Sequence, residues 1–437
     1  MSTKPSISRI FSVLLVLVFG LSVAPLQAAH ASSRRYARPV ASGSGDCSIW
    51  ANACTLQTAL TGALSGDEIW AAAGTHKPTT DPANRASTFQ LIGGVALYGG
   101  FAGTENIRDQ RNPALHVTIL SGDIDNNDSQ TPIITDLTTV TGNITNSYHV
   151  VTGATGGTLD GFIITADNAN GEGITDYNDR GGGMFNNSSS PMLTKVIFNG
   201  NTAYFGGGMD NFTSSSPTLM DVTFSGNTAT YGGGMDIYTS SSPTLENVTF
   251  SANTATDFGG GMSNFYSSST TLANVTFSAN TATYGGGMYN IRSSPTLTNV
   301  TFSANSAKTS GGGMYNKVGS NPQIRNTIFW GNSDQIDNYD SRDSPIVTDS
   351  VVQNGCPAGS ICTNILTADP KLGTLGNYGG FTQTIPILAG SSSIDTGNDA
   401  VCPATDQRGV SCLQGAHCDI GAFEFNYFQI FLPLIIR

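Results

Sequence analysis

Charge is scarce in this sequence. Of 437 residues, 19 are Lys or Arg and 31 are Asp or Glu, 11% in all, against about 25% in an ordinary soluble domain. A chain so poor in Glu, Lys and Arg is a poor source of helices, and it lacks the charge blocks of charge-driven disorder. The formal net charge is −12. With no basic excess to meet a phosphate backbone, the composition argues against nucleic acid as a partner. An acidic surface also repels an anionic polysaccharide unless a metal bridges the two. Apolar runs are short, and none reaches the ~20 residues that a membrane helix needs. Glycine is plentiful, at 52 residues, but without a period of three, which excludes collagen. There is no Cys-x-x-Cys pair among the seven cysteines and no Gly-His-Gly among the five histidines. No stretch keeps a 3.6-residue apolar period long enough for a helix. These absences leave a turn-rich, weakly charged β architecture.

The N-terminus reads as a secretory leader over 1–31. Lys4 and Arg9 supply the positive start, Val13 to Phe19 the apolar segment, and Ala29-His30-Ala31 the small-x-small cleavage site. Residues 32–46 then read as a linker. Export fits the cysteines as disulfide candidates. Cys47 and Cys54 are close in sequence, as are Cys356 and Cys362, while Cys402, Cys412 and Cys418 form a third group. Two local bridges and one C-terminal bridge would leave one thiol over. Zinc is the competing reading, but only His417 accompanies the last group. Residues 426–437 are a hydrophobic tail ending in Arg437, too short to span a bilayer.

The middle of the chain repeats. Six Gly-Gly-Gly-Met units place Met at 184, 209, 235, 262, 288 and 314. Six Phe-x-x-Asn units place Phe at 198, 224, 250, 277, 302 and 329, each followed by Asn201, Asn227, Asn253, Asn280, Asn305 or Asn332. Val222 and Phe224 alternate with Thr223, the period-two pattern of a strand with one buried face. A unit of 25 to 27 residues cannot bury its own apolar face, and stacking solves this by setting Leu on Leu, Val on Val and Phe on Phe. The expected fold is all-β: a single-stranded right-handed parallel β-helix, or solenoid, with capping elements at both ends. Its asparagines would form a structural ladder of amides, and its methionines an inward row.

The Gly-Gly-x-hydrophobic unit paired with Phe-x-x-Asn resembles the repeats of polymorphic outer-membrane proteins and related bacterial β-helix surface proteins. The resemblance covers 181–332 and departs from the family in its third Gly and its Met. Residues 47–125, with Thr55-Leu56-Gln57-Thr58-Ala59-Leu60, Gly66-Asp67-Glu68-Ile69-Trp70 and Tyr98-Gly99-Gly100-Phe101, resemble the opening coils of such proteins, with a short capping helix. Asp369-Pro370-Lys371-Leu372, Asn377-Tyr378-Gly379-Gly380-Phe381, Asp406-Gln407-Arg408-Gly409 and Asp419-Ile420-Gly421-Ala422-Phe423-Glu424 closely resemble the choice-of-anchor Q domain, which implies display near a surface anchor. The expected organisation is an N-terminal cap with first coils over 47–180, regular coils over 181–340 and the anchor-Q-like region over 341–425.

β-Helices of the pectin-lyase-like type host polysaccharide lyases and glycoside hydrolases, but fold does not carry function. The repeat aspartates Asp210, Asp221, Asp236 and Asp257 read as scattered through the unit. The best acidic cluster is Asp123, Asp125, Asn127 and Asp128, an alternation that suits calcium or, alternatively, a solvated turn. Phe205, Tyr231, Phe258 and Tyr284 precede the glycines, and Phe212, Tyr238 and Phe265 follow the Met by three. If they face solvent they are stacking platforms for sugar rings; if they brace corners they are packing. The expectation is an exported, surface-associated, non-catalytic protein for adhesion or glycan and matrix contact. Its partners would be polysaccharide or cell-surface components, with no cofactor other than possible calcium. The alternative is a polysaccharide lyase or hydrolase.

Overall fold

The computed structural model describes Met1 and residues 32–173 and 175–426. Apart from Met1, the expected leader lies outside the described residues, as does the tail beyond Asn426. From Arg34 to Leu366 the chain runs as a right-handed parallel β-solenoid of about 11 turns. The described strands form three parallel sheets, 18-, nine- and four-stranded.

Each repeat unit makes one rung, and the period-two pattern decides which side faces in. In the strand Thr244–Ser251, Leu245, Val248 and Phe250 are buried, whereas Thr244 and Glu246 are exposed. The next rung sets Leu272, Val275 and Phe277 on these three in register, and the one after sets Leu297, Val300 and Phe302 on those. The six phenylalanines from Phe198 to Phe329 form one inner file with centroids 4.5–4.8 Å apart and planes within 6° of parallel. The six methionines form another, all fully buried.

The Phe-x-x-Asn asparagines are buried at a bend and joined side chain to side chain. Each of Asn201, Asn227, Asn253, Asn280 and Asn305 donates from Nδ2 to Oδ1 of the next, through to Asn332, at 2.9 Å. The backbone N–H of each donates to that same oxygen. The second hydrogen of Nδ2 goes to a carbonyl of the preceding turn, such as Phe224 O for Asn253. An amide buried this way has its full hydrogen-bonding capacity used.

A second file of asparagines, two residues after each Met, was not anticipated. Asn186 donates to Asn211, and Asn264, Asn290, Asn316 and Asn338 continue the file at 2.9 Å, with Ile237 interrupting it. Other corners turn through left-handed backbone, at Asp221, Asn247, Asn274 and Asn299 with φ of 53–56°, where Asn and Asp are tolerated better than other L-residues. The triple glycine is steric. A Cβ on Gly234 would lie 2.5 Å from Gly261 O and 2.9 Å from a Phe250 ring atom.

The N-terminal end is covered, and the C-terminal segment lies against a side face. Helix Leu56–Thr61, whose first turn is capped by the Thr55 side chain, buries Leu56, Ala59 and Leu60. The expected linker is corrected in part: Arg34–Ala37 is a strand paired in parallel with Glu68–Ala72. The region drawn from 341 also begins as solenoid, since Ile346–Val352 and Ile361–Leu366 are further rungs. After these the chain folds back over the outer face of the long sheet. Asn274 Nδ2 donates to Thr405 O, Thr276 Oγ1 to Gln407 Oε1, and Ala422 N to Thr301 Oγ1. Ile387, Ile420 and Phe423 pack on Ile328 and Val351. No helix among the described residues is long and apolar enough to cross a membrane.

Candidate functional site

The regular columns leave little free chemistry, because each polar column is consumed by its neighbours. One cavity, about 740 Å³, opens near the N-terminal end, outside the regular repeats. Its walls are the start of the cap helix at Thr55–Gln57, the segment 75–80, and the irregular loop 121–132. Strand Gly74–His76 pairs with Thr118–Ser121, which brings His76 and Lys77 beside Asp123. The lining is mixed, with Gln57, Asn126, Asp128 and Gln130 among threonines, prolines and Leu56.

The acidic loop sits at this cleft, but its four expected calcium ligands do not converge. Lys77 Nζ lies 3.4 Å from Asp123 Oδ2 and donates to Asn126 Oδ1 at 2.8 Å and to the Asp123 carbonyl. A tethered ammonium therefore holds the position a cation would take. Asp125 Oδ2 accepts from Asn127 Nδ2 and Thr145 Oγ1, and Asp128 Oδ2 accepts from Asn146 Nδ2. Among the described residues no group of three or more His, Cys, Asp or Glu side chains converges as a metal site. Around the loop the oxygens are shared among an ammonium, amides and a hydroxyl.

The loop does leave acceptors open. Asp128 is 7% exposed, and its Oδ1 has no hydrogen-bond partner among the described residues. The same holds for Oδ1 of fully buried Asn146 and Nδ1 of His76. Burial pushes the Asp128 carboxyl up to about 6, against the Asn146 hydrogen bond and with help from the charges of Asp123 and Asp125. Burial pushes His76 down to about 4, so it is neutral, with Nε2 at 2.9 Å from Ala72 O. The three atoms without a partner among the described residues are themselves buried, and Asn146 is not among the residues that line the cleft. Sequence reasoning missed His76 and Lys77, which no local motif marks.

The seven predicted aromatics form two half-buried files on the outer side. Phe205, Tyr231, Phe258 and Tyr284 lie with successive centroids 5.1–5.8 Å apart. Phe212, Tyr238 and Phe265 follow at 5.7–6.0 Å. The two files close on one another, with Tyr289 stacked 4.5 Å from Phe258. Ring packs on ring along and between the files, while all but Phe265 stay partly exposed.

Beneath them lies a buried ionic group that the sequence reading dispersed. Asp210 and Asp236 both follow the Met of their unit and stand in register. Arg180 pairs with Asp210 at 3.0 Å and lies 4.0–5.4 Å from the rings of Phe205, Phe212 and Tyr238. Burial pushes both carboxyls up. Asp210 is fully buried and Arg180 nearly so, which suits a structural plug. Of the remaining repeat aspartates, Asp221 is a corner residue and Asp257 lies on the outer strand Thr254–Phe258.

Cys47–Cys54 and Cys356–Cys362 are disulfides. Cys402, Cys412 and Cys418 are free thiols, so the expected C-terminal bridge is not formed in this structure.

Residues 185–360 match a family model described as right handed beta helix region. No curated protein matches the chain in sequence. Among solved structures, a crystal structure of pectate lyase Pel9A aligns with a TM-score of 0.44 and 12% identity, over 91% of this chain and 97% of that one.

Proposed function

We propose that this chain is an exported, cell-surface-associated β-helix protein that holds a neutral glycan without cutting it, and that the N-terminal cleft is the binding site. The observation that carries this reading is the cleft itself, about 740 Å³, lined by the amides of Gln57, Asn126 and Gln130, the hydroxyls of Thr79 and Thr80, and Asp128. Sugar hydroxyls can pair with such groups, at about 0.5–1.5 kcal/mol net per bond. The net charge of −12 favours a neutral chain over a uronate. Two short-range disulfides support an oxidising location. The test is calorimetric titration with a panel of neutral and anionic polysaccharide fragments, alongside an assay for new reducing ends. Neutral fragments bind, Asp128→Ala weakens binding about tenfold or more, and no ends appear. Unchanged binding by Asp128→Ala, or binding of anionic fragments alone, refutes the reading.

One observation favours a catalytic alternative. A carboxyl pushed up to about 6 can hand over a proton near neutral pH, and Lys77 and Asp123 lie on the same cleft. A polysaccharide lyase or hydrolase using Asp128 would release unsaturated products or reducing ends from the same panel, and Asp128→Ala would abolish them.

A further inference from the structure

The three cysteines of the C-terminal layer are the reactive groups that the cleft and the repeat leave unexplained. Cys402 is half-exposed, whereas Cys412 and Cys418 are buried. Cys412 N donates to Ala404 O at 3.1 Å, which holds the Cys412 segment alongside that of Cys402. Two amides from the solenoid corner steady the group: Asn299 Nδ2 donates to Cys402 Sγ at 3.8 Å and Asn326 Nδ2 to Cys418 Sγ at 3.6 Å. The same asparagines reach the layer's backbone at Asp419 O and Asn398 O. The thiols therefore sit at the joint between layer and solenoid. The other four cysteines are already bonded to one another.

We propose that Cys402, Cys412 and Cys418 form a thiol–disulfide exchange site for an external disulfide, with Cys402 attacking and either buried neighbour resolving. The Asn299 amide donor favours the thiolate form of Cys402, which is also the one thiol of the three on a partly exposed residue. In the first step the Cys402 thiolate attacks one sulfur of the external disulfide. A mixed disulfide forms on Cys402 and one external thiolate leaves. In the second step the thiolate of Cys412 or Cys418 attacks Cys402 Sγ, an internal disulfide forms, and the second external thiolate leaves. The two thiolates take up the protons of the two protein thiols, and the external disulfide is the two-electron oxidant. The third thiol can then attack Cys402 and exchange one internal pairing for the other with no further oxidant.

The test uses the full chain with oxidised glutathione as the probe, an alkylating quench and non-reducing peptide mapping. Both Cys402–Cys412 and Cys402–Cys418 peptides are expected, with one alkylated thiol remaining in the group. In the Cys412→Ser/Cys418→Ser variant, glutathione stays on Cys402. In Cys402→Ser, oxidation of the group slows at least tenfold. The proposal is overturned if glutathione accumulates on Cys412 or Cys418, if Cys402 stays fully alkylatable in the wild type, or if Cys402→Ser oxidises at the wild-type rate. Should Cys402→Ser fail to fold, judged by its melting curve, the adduct position in the double variant decides alone.

Discussion

The asparagine ladder makes a quantitative prediction because its members are chemically identical but differently placed. Asn253 takes part in four bonds through its side chain. Nδ2 donates to Asn280 Oδ1 and Phe224 O at 2.9 Å, and Oδ1 accepts from Asn227 N at 3.1 Å and Asn227 Nδ2 at 2.9 Å. At the upstream end Asn201 makes only the two donations, to Asn227 Oδ1 and Ile164 O, and its Oδ1 has no partner among the described residues. At about 1 kcal/mol net per bond, Asn253→Ala costs about 4 kcal/mol and Asn201→Ala about 2. Asn253→Asp keeps the shape but cannot donate. It places a carboxylate oxygen against Asn280 Oδ1 inside a fully buried file, and so costs more than Ala. Urea unfolding followed by circular dichroism measures all three, with hydrogen exchange of the Asn227 and Asn253 amides as the local check, since repeat stacks can open in parts. Equal losses at 201 and 253, or an Asp variant no worse than Ala, would refute the claim that amide donation along the file stabilises the bend.

Other perturbations read different parts of the same physics. Ile237→Asn should restore the second asparagine file, giving the orphaned Nδ2 of Asn211 an acceptor; urea midpoints should leave it within about 1 kcal/mol of wild type, whereas Ile237→Ala costs about 2–5 kcal/mol. Ala252 has a φ of 53° where the preceding unit has Gly226, so Ala252→Gly should gain about 1 kcal/mol, and a loss of stability would contradict the strain. Asp128 has a folded pKa raised above its unfolded value, so its charge opposes folding above pH 6 and that penalty vanishes below about pH 4. Asp128→Asn should therefore melt higher than wild type at pH 7, by on the order of 2 kcal/mol in stability, and match it at pH 4; a constant offset across that range would be inconsistent with titration of this group. Because Lys77 occupies the acidic loop, a chelator should leave the melting temperature unchanged, and a calcium-dependent rise of several degrees would show a metal there.

The regular part of the fold was legible because in a solenoid every residue's neighbour is its own equivalent one unit later. Phe224 could be placed on Phe250 from spacing alone, and the same reasoning could have placed Asp210 on Asp236, since both directly follow a Met. The signal for the second asparagine file was also present, as Met-x-Asn, but Ile237 broke it in the middle. Orientation was less legible than position. The spacing of Tyr231 and Phe258 is the same whether their faces meet water or each other, and the third column, with Tyr289 against Phe258, is seen only in the structure. The cleft was legible only as an acidic loop. Lys77, which sets that loop's chemistry, comes from 46 residues upstream of Asp123, and no period relates the two. The return of Gln407 and Thr405 onto Thr276 and Asn274 was invisible for the same reason.

The repeat also limits where function can reside. In the Phe-x-x-Asn file each member satisfies the next, so a side chain in its middle has no free valence to offer a ligand, and exposing it would unsatisfy two neighbours. The cleft at Asp128, the plug of Arg180 and the thiols of the C-terminal layer all lie where the unit is interrupted or has ended. There the chain runs through loops or a second layer rather than through matched rungs. Substitutions in the Phe, Met and Asn files should therefore change stability with little effect on binding. Substitutions at Asp128 or Gln130 should change binding, with Asp128 alone also moving stability as pH changes. A measured glycan affinity that followed the stability of the files, and not the side chains of the cleft, would place the function on the rungs and undo this division.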